Sequence, residues 1–222
     1  IALDNRLDKL VLVEDNFHGF LESKKRCEEH NIQLVFGLRL NICNSHSDDK
    51  KKNHKVIIFA KNDHGCKKLY KIHSSAFCDY DQRFTFKDLK EHWTNNLLMA
   101  IPFYDSFLFN NALTFAICFP DFSFTKPVFF LEDNDLPFDY LVREKVMKYC
   151  KDNKFDTLPT KSIYYENKED FKAYATFKCI NNRSTLENPK FDHLCSNEFS
   201  FESWEEQQKK AKSKKKSAKE TT

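Results

Sequence analysis

The sequence predicts an α/β fold of βα units around a mostly parallel sheet or barrel. Short apolar runs of strand length, rich in β-branched residues, recur along the chain. Segments with apolar residues at helical spacing lie between them, and that alternation is the pattern of a sheet with crossover helices. Hydrophobic residues make up 41% of the 222, with 23 Phe, so a sizeable core can be built.

Lys9–Glu14 (KLVLVE) opens the series as a strand. Phe17–His30 follows as a helix with Phe17, Phe20, Leu21 and Cys27 on one side. Gln33–Cys43 is a second strand and Asn44–Asn53 a charged loop. Lys55–Ala60 is a third strand. It leads into a helix over Asp63–Phe77, capped by Asn62 or Asp63, with Cys66, Leu69, Tyr70, His73, Ala76 and Phe77 on one face. A short helix over Phe86–Trp93 precedes strands at Leu97–Pro102 and Pro127–Glu132. Pro137 suits the first turn of a helix over Pro137–Cys150, whose inward face is predicted as Phe138, Leu141, Val146 and Tyr149. Thr160–Tyr165 reads as a strand, and Asn167–Cys179 as a helix capped by Asn167.

Residues 205–222 differ. They are nearly devoid of apolar side chains and hold seven Lys against three Glu, a net +4. This composition predicts a frayed helix end running into a disordered tail, so the folded domain is placed at residues 1–204. The whole chain carries +3, which leaves −1 for the body and excludes a basic nucleic-acid surface there by bulk charge. The eight Cys are dispersed with no CxxC pair, which predicts free thiols and a cytoplasmic protein. Apolar runs such as Ala112–Phe119 are too short to cross a bilayer, and no signal peptide is recognisable.

Several words in the sequence are similar to one family in a consistent order. Leu10–Val13 followed by Asn16–Gly19 resembles its first strand and the end of a Thr-Asp-His-Gly-Asn-x-x-Gly turn. Phe36–Gly37 resembles the entry to a Gly-Cys-Glu strand. Ala60–Ser74 (AKNDHGCKKLYKIHS), Thr160–Leu186 (TKSIYYENKEDFKAYATFKCINNRSTL) and Phe199–Glu206 (FSFESWEE) resemble later blocks. Gly19, Gly37 and Gly65, the only three glycines, fall on family glycine positions. The family is the PHP domain of the bacterial-type DNA polymerase III alpha subunit. The resemblance implies a distorted seven-stranded (β/α) barrel. Its first strand, with a His-x-His motif, would lie before Ile1, so an upstream extension is expected.

The resemblance also implies a cluster of up to three metal ions that activates water for phosphoester hydrolysis. Residue by residue, the ligand positions fall on Val13 and Glu14, Arg39, Asn134, Ser162 and Tyr164. Only Glu14 among these is an anion, and Arg39 reverses the charge of a carboxylate. The expectation is therefore a remnant cleft with no metal, no cofactor and no catalytic residue. A new metal site at His64 and Cys66, or at His193 and Cys195, is disfavoured by their i,i+2 spacing. Two readings of Glu14 stay open: it pairs with Arg39 across the cleft, or both side chains are simply solvated.

Three functional readings follow. The first is a non-catalytic scaffold within a replicative polymerase, whose partners are the remainder of that polymerase or replisome proteins. The second is a stand-alone phosphoesterase with unusual ligands. The third is an accessory DNA-binding protein using Lys209, Lys210, Lys212, Lys214, Lys215 and Lys216, where phosphate contacts would be salt-sensitive and sequence-blind. No membrane partner is expected. The first reading is preferred.

Overall fold

In a computed structural model, residues 1–49, 53–113, 117–181, 183–187 and 196–220 are described, with side chains to residue 210. The chain divides into two compact units. One, the sheet unit, holds Ala2–Leu131 and Val142–Leu158; the other holds Ile1, Glu132–Leu141 and Pro159–Thr222.

The sheet unit carries β1 (Lys9–Glu14), α1 (Phe20–Glu29), β2 (Gln33–Ile42), β3 (His54–Ala60), α2 (Asp63–Cys78) and β4 (Arg83–Phe84). After these come α3 (Phe86–His92), β5 (Leu97–Ile101), α4 (Phe107–Leu113), β6 (Val128–Leu131), most of α5 (Asp139–Asn153) and β7 (Asp156–Pro159). The strand order is β1-β2-β3-β5-β6-β7, with β4 paired to β2. This is a mixed α/β fold on a seven-stranded sheet, consistent with part of a (β/α) barrel.

The sheet is mostly parallel, as predicted, with one exception. β1, β4, β5 and β6 run in the sense of β2, while β3 is antiparallel to both β2 and β5. The cause is local: only eleven positions separate Ile42 of β2 from His54 of β3, fewer than a crossover connection needs, so the chain returns beside itself.

Alternation along the strands builds the core. Leu38, Leu40 and Ile42 of β2 and Val56 and Ile58 of β3 are buried, as are Leu69, Ile72 and Ala76 of α2. A second nucleus is aromatic. Phe129 lies 5.6 Å from Phe155 in a stack and 5.7 Å from Tyr149, with Phe107 and Phe122 edge-on or tilted around it. Caps fix the helix starts: the Asn62 side chain accepts from Gly65 N, and Thr85 with Asp88 forms a capping box.

Two helix faces are rotated from their predicted positions. On α5 the buried stripe is Asp139, Val142, Val146 and Cys150, while Phe138 is exposed. On α2 Ile72 is fully buried, and Tyr70 and Phe77 stand at the surface. In both cases an aromatic residue suggested the wrong side. The α4 helix, preceded by Ser106 accepting from Phe109 N, was not predicted.

The second unit holds a 3-10 turn (Lys168–Asp170), α6 (Phe171–Asn181) and α7 (Phe201–Glu220). Asn167 precedes the turn, its N–H donating to Asp170 at 2.9 Å. The strand predicted at Thr160–Tyr165 is not formed; only Tyr165 bridges to Ser200, and the strand of this region is β7. The backbone donors explain it. Tyr164 N–H donates to the Phe199 carbonyl and Phe201 N–H to that of Tyr165, which makes the single bridge, while Ser162 N–H is diverted to the Glu132 carboxylate, so the pairing goes no further. α7 passes through the position assigned to the domain boundary. Ser200 caps it by accepting from Ser203 N at 3.1 Å.

Candidate functional site

The predicted cleft residues fall in both units. Val13, Glu14 and Arg39 are in the sheet unit; Asn134, Ser162 and Tyr164 are in the second. Each group has its own geometry.

In the sheet unit, β1 and β2 pair in parallel with Val13 opposite Gly37 and Glu14 opposite Leu38. The next position, Asp15, therefore continues opposite Arg39. Side chains on a strand alternate between faces, so Asp15 shares the Arg39 face. Arg39 takes Asp15 in a two-point grip, Nε to Oδ1 at 2.8 Å and Nη2 to Oδ2 at 3.1 Å. Arg39 thus meets the residue after the one expected to pair with it. Lys55, two positions along β3 from the Arg39 partner Ile57, reaches the same carboxylate at 3.6 Å. Burial acts to raise the Asp15 pKa, but the Arg39 guanidinium and then Lys55 outweigh it and hold the carboxyl below its ordinary value. Burial lowers the Lys55 pKa, opposed by Asp15.

Gly37 lies beside this group for a steric reason. A Cβ there would come within 2.6 Å of the Phe59 ring and 2.9 Å of Ile57. The glycine lets the side chains of β3 lie directly on β2.

In the second unit two of the predicted positions converge on a residue the sequence reading passed over. Glu132, 6% exposed, accepts from Ser162 twice, N to Oε2 at 2.9 Å and Oγ to Oε1 at 2.7 Å. Asn134 Nδ2 donates to Oε2 at 2.9 Å. The Asn134 N–H donates in turn to buried Asp139 at 2.9 Å, and its carbonyl accepts from Ser196 Oγ at 3.0 Å. Next to Ser162, the Lys161 ammonium lies 3.8 Å from Glu198 and donates to the Asp133 carbonyl at 3.4 Å. Burial lowers the Lys161 pKa; Glu198, Glu132 and Asp133 oppose that shift. Glu198 also accepts from Ser203 Oγ at 2.7 Å and faces Lys168 at 3.6 Å. The Tyr164 ring stacks on Tyr174 at 5.3 Å.

Glu132 was visible in the sequence only as the end of an apolar run, and Lys161 only as the neighbour of Ser162. No local spacing connects residues 132 and 162, so sequence carried no signal for their meeting.

Of the other candidates, His64 is exposed and Cys66 half-buried on α2; His193 and Cys195 lie outside the described residues. Lys209 and Lys210 are exposed on α7, with Lys209 3.6 Å from Glu205. The side chains of Lys212, Lys214, Lys215 and Lys216 lie outside the described residues.

These surroundings do not fit a cluster of divalent ions. Around Asp15 two cations already face one carboxylate, and around Glu132 both oxygens accept hydrogen bonds from Ser162 and Asn134. Among the described residues, no three His, Cys, Asp or Glu side chains are grouped as ligands of one ion. Also among them, no helix is long and apolar enough to cross a membrane.

A family model described as PHP domain aligns with residues 2–112, half of the chain. No curated protein matches significantly. The aligned span includes β1, β2 and β3 with Asp15, Arg39 and Lys55. The chain belongs to the PHP domain family.

Proposed function

We propose that this PHP domain is non-catalytic and serves as a structural scaffold within a DNA polymerase III alpha-type replicative polymerase. The observation that carries the reading is the Arg39–Asp15 pair with Lys55 beside it. A site built to gather divalent ions needs surplus negative charge, and here the Asp15 carboxylate is already held by two cations, Arg39 and Lys55. The hydrogen-bonded Glu132 supports it from the second unit. The polymerase context rests on the sequence blocks at Ala60–Ser74, Thr160–Leu186 and Phe199–Glu206, which resemble that subunit.

Metal analysis of the protein, purified after growth with Mn, Zn and Fe, together with a phosphoesterase assay, tests the scaffold. The expected result is less than one tightly bound ion per chain and no metal-dependent hydrolysis. Two or more bound ions with hydrolysis would return the protein to the phosphoesterases. Polymerase palm sequence in the same reading frame tests the context. DNA binding lost on deleting residues 209–222 would favour the accessory DNA-binding role instead.

A further inference from the structure

We propose that Lys161 is an internal counter-ion of the second unit, supplying the positive charge beside the Glu198 and Glu132 carboxylates that a bound ion would otherwise bring. The inference rests on the scaffold reading and extends it by saying what supplies the missing positive charge.

The Lys161 side chain is only 3% exposed; Lys168, by contrast, is 27% exposed. An ammonium that far from water persists only among anions or acceptors, and buried carboxylates likewise need cations or donors. Both conditions are met in one place. The ammonium faces Glu198 at 3.8 Å and the Asp133 carbonyl at 3.4 Å. The adjacent residue, Ser162, binds Glu132 through its N–H and its hydroxyl. One dipeptide therefore delivers a charge and two hydrogen bonds to the acidic groups. Ser162 is also the position where the family resemblance would place a metal-binding carboxylate. The titratable groups facing Lys161 are Glu132, Asp133, Glu198 and Lys168.

The experiment uses the full chain in EDTA and three variants. Lys161→Met removes the charge and keeps most of the volume, Lys161→Arg keeps the charge, and Lys161→Ala opens space for a small amine. We expect K161M to lower the melting midpoint by about 4 °C or more and K161R by clearly less. Propylammonium should raise the midpoint of K161A by several degrees, where n-propanol at the same concentration does not. K161M melting with the wild type, or propanol matching propylammonium, overturns the proposal and makes Lys161 a packing residue. If the single variants do not fold, the double variant K161M/E198Q decides. Recovery of folding when the facing carboxylate is removed supports the counter-ion; continued failure overturns it. Ions held tightly by the wild type would sink the scaffold reading by a separate measurement, because the Lys161 comparisons are made in chelator throughout.

Discussion

Arg39 and Asp15 form a two-point ion pair, with Nε to Oδ1 at 2.8 Å and Nη2 to Oδ2 at 3.1 Å, across the neighbouring strands β1 and β2. Guanidinium and carboxylate match in shape, so the pair fixes orientation as well as charge. Lys55 adds a second positive charge to the same carboxylate.

Removing either partner should have a modest effect, because Asp15 is half exposed. Arg39→Ala and Asp15→Asn are each expected to lower unfolding free energy by about 1 kcal/mol, with a coupling of about 0.5 kcal/mol in the double variant. Urea unfolding of the four proteins measures it. Strict additivity would mean that the pair contributes nothing.

Glu132 should matter more, since it is buried and its loss strands donors on Ser162 and Asn134. Glu132→Ala is expected to destabilise by about 3 kcal/mol, and Ser162→Ala by about 1 kcal/mol. The order of the two urea midpoints is the check; a reversed order would contradict the geometry.

The three glycines separate sharply. At Gly65 a Cβ would meet the backbone carbonyl of Asn96, which cannot turn aside, whereas at Gly37 it meets the ends of Phe59 and Ile57. Gly19 faces open space, with Ser23 Oγ at 3.9 Å. Alanine substitution should cost about 3 kcal/mol at Gly65, about 1–2 kcal/mol at Gly37 and within about 0.5 kcal/mol at Gly19. Thermal and urea unfolding of the set would expose any other order.

Acidification should weaken the fold before the carboxylates titrate. Burial lowers the pKa of both His54 and His73 below 6.5, with His18 adding to the effect at His73. Below pH 6.5 the unfolded chain then binds more protons than the folded one at these groups, so stability falls as pH drops. Asp15 and Asp88, both lowered from 3.8, act in the same direction further toward the acid end: they stabilise above that value and lose their contribution as pH falls through it. The urea midpoint should therefore decline between about pH 7.5 and 5.5, and less so in His54→Gln. A flat profile in the wild type would refute this.

The rotated faces of α2 and α5 show the limits of reading periodicity. Helical spacing places both helices within a few residues of their observed bounds, because the pattern is local. It does not decide which of two adjacent stripes faces inward. On α5 the choice of Val142 and Cys150 over Phe138 was made by packing against other elements.

The same division holds for the site. Local chemistry in the chain determined the βα alternation and the helix starts at Asn62 and Asn167. Tertiary structure alone decided that Arg39 holds Asp15 and not Glu14, and that Ser162 and Asn134 meet on Glu132. Strand register sets the parity of every side chain, and one residue of offset exchanges the two faces. Hydrogen bonds between residues 30 positions apart depend on where the chain returns, which no pattern of neighbouring residues encodes.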